Sequence, residues 1–185
     1  MRDDKRLAAL AAASKAASPE PWLRGTLTDV PAVARGVLHA LQLAREDLEK
    51  WCGGLSDEEL NARPAGLPSI AFQLRHIARS VDRLLSYAEG GGLTEQQVAE
   101  LSGELEPGAT RDTLFAELAA VLARSAGRVR RLATTDLEEP RTVGKKELPT
   151  TVGGLLVHVA DHTQRHVGQA VTTAKVITAQ RAQLG

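Results

Sequence analysis

The chain has 185 residues, 43% of them hydrophobic, and its 23 Lys plus Arg balance its 23 Asp plus Glu. That length suits one domain able to bury its own core, and zero net charge leaves no basic field to hold nucleic acid or a membrane surface. The single cysteine, Cys52, excludes an internal disulfide and points to a reducing compartment, read here as the cytoplasm.

Residues 1–26 are expected to form an N-terminal arm or short extra helix ahead of a domain spanning 27–185. The alanine-rich opening only faintly imitates a secretory leader, because Asp3 and Asp4 stand where a positive region belongs and no leucine-rich stretch follows. Pro19 and Pro21 break it. No apolar run in the chain approaches the roughly 20 residues that span a bilayer.

A first long helix is expected after Thr28, Asp29 and Pro31, with Val33, Val37, Leu38, Leu41 and Leu48 at helical spacing until Gly53 and Gly54. Ser56 to Glu59 forms a capping box for one short turn. Ser69 opens a second helix over residues 70–88, whose seam is Ile70, Leu74, Ile77, Val81, Leu84 and Ala88. His76 is off that seam, on the side of Phe72, Ser80, Arg83 and Tyr87, where a lone histidine is ordinarily solvated. Arg75, Arg79 and Arg83 make a ridge beside it, expected to be a solvated face.

Residues 90–110 form a long crossover carrying a second capping box, Thr94 to Gln97. Some twenty residues suffice to run back along a bundle before the next helix starts. Helix three is expected over residues 111–133, with Leu114, Leu118, Val121, Leu122, Val129 and Leu132 inward. Residues 134–149 read as a charged loop, and Thr150 or Thr151 caps a last long helix reaching about residue 179. The pattern is all-α: a single four-helix bundle with a long crossover between helices two and three, plus short accessory helices.

The last helix carries the chemistry. His158, His162 and His166 recur at four-residue intervals and so share one helical face. Neighbours are about 6 Å apart along the axis and the outer pair about 12 Å, so one ion can take two of the three and needs a further ligand from elsewhere. Repeated histidines in one register on a mostly apolar helix favour metal ligation over three separate structural roles. No glutamate follows the first histidine, which removes the HExxH metalloprotease class. Asp161 lies off the stripe.

Leu74-Arg75-His76-Ile77-Ala78 on the second helix, combined with the stretch from His158 through His162 and His166 to Gly168-Gln169 on the fourth, resembles the DinB/YfiT-like superfamily of bacterial metalloproteins. The likeness runs over residues 31–176 and includes the order of helices, implying the up-down-down-up bundle. It implies His76, His162 and His166 as ligands of one divalent ion, zinc or nickel foremost. His158 is then close behind the ligands or in a substrate pocket, and Gln169 a group that orients His166 or a bound water. The alternative is a match shifted by one turn, with His158 as ligand in place of His166.

The resemblance further implies a homodimer and a small-molecule substrate. Some members resemble thiol-dependent S-transferases, in which a low-molecular-weight thiol attacks an electrophile; others look like isomerases or amidohydrolases. A metal-dependent transferase or hydrolase is the reading that follows. Its rival is a non-catalytic metal-binding or dimeric helical interaction module. Open coordination positions on the ion favour the enzyme, and a fourth protein ligand favours the structural role.

Overall fold

A computed structural model describes residues 18–184. The expectation for residues 1–26 therefore falls largely on residues outside the described ones; within them, Pro21–Leu23 form a single 3₁₀ turn. Trp22 is 61% exposed and donates its indole N–H to Glu20.

Six α-helices follow. They are α1 (Ala32–Cys52), α2 (Asp57–Asn61), α3 (Ile70–Ala88), α4 (Glu95–Ser102), α5 (Arg111–Leu132) and α6 (Val152–Leu184). Local chemistry sets their ends. The Ser69 and Thr110 hydroxyls accept the backbone N–H groups of Phe72 and Thr113, and both capping boxes, at Ser56 and Thr94, are formed. Gly90 closes α3 at a φ of +83°, a conformation that favours glycine.

The long helices α1, α3, α5 and α6 are the bundle. Ala40 and Trp51 of α1 meet Gln164 and Lys175 of α6 in the same order, so those helices are parallel. Arg79 and Asp82 of α3 meet Glu117 and Arg128 of α5 in the same order, so these are parallel too. The contacts of Ser80 with His162 and of Gln73 with Gln169 make α3 and α6 antiparallel. The order is up-down-down-up, and only a long crossover between α3 and α5 permits it.

The core is a continuous apolar seam. Leu48 of α1, Leu74 and Ile77 of α3, Leu114 of α5 and Leu156 of α6 are fully or almost fully buried within it. Each such side chain contributes roughly 1.5–3 kcal/mol on leaving water. Among the described residues no helix is long and apolar enough to cross a membrane.

Residues 134–149 depart from the expected loop. Pro140–Val143 and Leu148–Thr151 pair antiparallel, with Val143 opposite Leu148. Four-residue strands with a proline in each carry little strand signal in sequence. The hairpin is held from outside: Arg141 donates to Ala88 O at the end of α3, and Val152 N to Glu139 O.

Cys52 has no exposed surface, and burial pushes its thiol up to about 12. Ellman's reagent at pH 8 is expected to find no reactive thiol in the native chain and one per chain in guanidinium; fast native labelling would contradict this packing.

Candidate metal centre

Because α3 and α6 are antiparallel, Gln73, His76 and Ser80 stand opposite Gln169, His166 and His162. The rings of His76, His162 and His166 close on one another across that seam. Centroids are 5.0 Å apart for His76 and His162, 4.3 Å for His76 and His166, and 4.5 Å for the pair on α6. One nitrogen from each ring joins a group whose members all lie within 4.8 Å of one another. No other His, Cys, Asp or Glu joins this group among the described residues.

The far nitrogens are each committed. His76 Nδ1 donates to the Glu104 carboxylate at 2.7 Å, and the same carboxylate accepts Arg83 Nη1 at 2.7 Å. Burial opposes the charge on Glu104, but the hydrogen bonds from His76 and Arg83 outweigh it and hold the carboxyl below its ordinary value. His166 Nδ1 donates to Gln73 Oε1 at 2.7 Å, and the Gln73 amide donates in turn to Gln169 at 3.0 Å. Ser80 gives its one hydroxyl proton to Ile77 O, so its oxygen accepts His162 Nδ1 at 3.4 Å.

A neutral imidazole that donates from Nδ1 presents a bare lone pair at Nε2. The Nε2 atoms of His76 and His162 are 3.4 Å apart, and in the Nδ1–H tautomers that suit their far partners two lone pairs face each other there. A cation resolves that opposition. Nitrogens bound at 2.0–2.1 Å around a tetrahedral zinc would be about 3.4 Å apart, the separation of the His76 and His162 pair. Burial, followed by the neighbouring imidazoles, pushes His162 down to about 4, and burial with His76 beside it lowers His166. Both rings are therefore neutral near pH 7. Phe72 stacks on His76 at 5.3 Å and walls one side of the group.

His158 is outside the three. Its ring centroid is 5.3 Å from that of His162, its side chain is about half exposed, and Nδ1 lies 3.6 Å from the Asp161 carboxylate. Asp161 turns outward to pair with Arg165. Gln169 accepts the Gln73 amide that holds His166.

The arginine ridge on α3, expected to be solvated, instead pins the crossover. Arg75 donates to Glu106 O, Arg79 to Glu100 O, and Arg83, nearly buried, to Glu104. Sequence reasoning missed Glu104 and Gln73 as partners of the histidines. Gln73 precedes His76 by three residues and so stands on its face, a usable signal. Glu104 comes from 28 residues away in the crossover, and no local pattern marks it.

A family model described as the DinB superfamily matches residues 40–170. Among solved structures, a conserved protein of a locus from Enterococcus faecalis is similar with a TM-score of 0.59 and 21% identity, over 80% of this chain and 99% of that one. YfiT from Bacillus subtilis, described as a probable metal-dependent hydrolase with an unusual four-helix bundle topology, is similar with a TM-score of 0.58 and 15% identity, over 77% of this chain and 86% of that one. At these identities the likeness is one of fold. No match is found among curated proteins.

Between pH 6.5, the ordinary histidine value, and about 4, the value for His162 in the folded chain, the unfolded chain binds more protons than the native one. Stability conferred by the neutral ring is thus present above this window and lost as pH falls through it. The thermal midpoint of chelator-treated protein is expected to drop across the window by more in the wild type than in His162→Gln. Parallel pH profiles for the two proteins would refute the burial of a neutral His162.

Proposed function

The chain belongs to the DinB superfamily, and on that premise we propose that it is a divalent-metal-dependent enzyme whose ligands are His76, His162 and His166. One observation carries the reading: one nitrogen from each of three rings converges within 4.8 Å while the Nδ1 atom of each ring has a partner elsewhere. An ion held there would supply a Lewis acid that acidifies water or a thiol at its open positions. Three protein donors, with no fourth among the described residues, favour that open arrangement over a closed structural site.

The rest is done by the chain's own groups. Glu104, Gln73 and Ser80 fix ring orientation and keep each Nε2 unprotonated. Phe72 excludes water from one flank of His76, and the half-exposed His158 lines the approach from the other end of the α6 stripe. The nucleophile we favour is a low-molecular-weight thiol attacking a small electrophile, which makes the protein an S-transferase. Water as nucleophile makes it a hydrolase, the chemistry ascribed to the YfiT neighbour. The same proposal includes a homodimer, to be checked by light scattering.

Zinc or nickel content of tag-free protein by mass spectrometry is expected to be about one equivalent. His76→Ala, His162→Ala and His166→Ala should each lose it, and His158→Ala should keep it. A wild-type chain that carries no ion and takes up none on addition would overturn the reading. Screening small thiols with a model electrophile, beside amide hydrolysis, then separates transferase from hydrolase; activity equal to buffer in both would leave the non-catalytic module.

A further inference from the structure

The crossover is attached to the bundle in an unusual way. Across α4 and the 3₁₀ turn Gly103–Leu105 that follows it, the buried residues are the polar Gln97 and Glu104. The large apolar side chains of the same segment, Val98, Leu101 and Leu105, are 52%, 47% and 77% exposed. Docking is therefore by hydrogen bonds and ion pairs: Gln97 to Asp82 and Ser86, Arg79 to the Glu100 carbonyl, Arg83 to Glu104, and Arg75 to the Glu106 carbonyl. A segment with so few buried apolar contacts opens at lower free energy than the core helices.

One of these attachments passes through the histidine group itself. Glu104 is 4% exposed and accepts His76 Nδ1 at 2.7 Å. A cation on the opposite nitrogen of an imidazole makes the Nδ1–H a stronger donor, and a carboxylate on Nδ1–H makes the ring a better ligand. The two effects are one coupling seen from its two ends.

Accepting the metal-binding reading above, we propose that ion binding and docking of the crossover are one linked equilibrium, joined by Glu104 as the positioning residue for His76. The ion tightens the strap formed by residues 95–106, and the docked strap raises affinity for the ion by the same factor. Arg79, which touches Glu100 and Glu117 and no histidine, reaches the ion only through docking.

The test uses the full chain, with zinc as the probe, calorimetry for affinity and amide hydrogen exchange for docking. In the wild type, zinc is expected to slow exchange across residues 95–106. Glu104→Gln should weaken zinc binding about 10- to 100-fold, and zinc should no longer protect the strap. Arg79→Ala should speed exchange of the strap in the zinc-free chain and weaken zinc binding by less than Glu104→Gln does. Zinc should still slow exchange of its strap because the Glu104–His76 link is intact, an outcome that a merely structural role for Glu104 does not predict. Zinc bound by the wild type without protecting residues 95–106, or bound equally tightly by Glu104→Gln, would overturn the linkage and leave the metal site standing. Failure of the wild type to bind zinc at all would sink the metal reading first. The wild-type exchange experiment decides the matter even where a variant does not fold.

Discussion

Three imidazoles that turn bare nitrogens toward one another repel as dipoles and lose hydration, so they stay together only when each far nitrogen is held by an acceptor. Here the acceptors are a carboxylate, an amide and a hydroxyl: Glu104, Gln73 and Ser80. Two of them come from α3 itself, spaced so that they share the face of His76. The third has to be brought in, and much of the chain's architecture serves that delivery.

Parallel α3 and α5 cannot be joined by a short turn, so the chain must travel the length of the bundle between them. In doing so it crosses the outer ends of Arg75, Arg79 and Arg83 and lays Glu104 against His76. The connection required by topology is thus also the source of an anionic partner for the histidine group. Antiparallel pairing of α3 with α6 does the complementary job, since opposite chain directions let residues at regular spacing on one helix meet residues at regular spacing on the other over several turns.

Charge in this molecule works locally. The 23 basic and 23 acidic residues cancel overall, yet the pairs that matter are partly desolvated. Arg83 with Glu104 and Arg128 with Asp82 and Glu89 tie α3 to the crossover and to α5. Exposed pairs such as Arg165 with Asp161 contribute little, because water and salt screen them. What distinguishes the first set is burial of the carboxylate or guanidinium, which strengthens the pair and makes the loss of either partner costly.

Periodicity and caps placed most of the helices, although α1 begins after Pro31 without the side-chain cap expected of Thr28 or Asp29. Ser69 and Thr110 begin α3 and α5 as the hydroxyl cap demands, and the glycine at position 90 ends α3. They also put His162 and His166 one turn apart on α6, because a helical face is a local property of spacing. His76 was harder: its own helix placed it off the apolar seam, and only the resemblance of its motif joined it to the other two. Gln73, Ser80 and Arg83 lay on its face without any sign of which ring or carboxylate each would meet. The hairpin over residues 140–151 escaped notice because its strands are short and anchored by Ala88 and Glu139 rather than by their own propensity. Glu104 could not be read at all. Its place beside His76 depends on where a 20-residue connection comes to rest on α3, and that is decided by contacts between segments distant in sequence, which only the assembled bundle supplies.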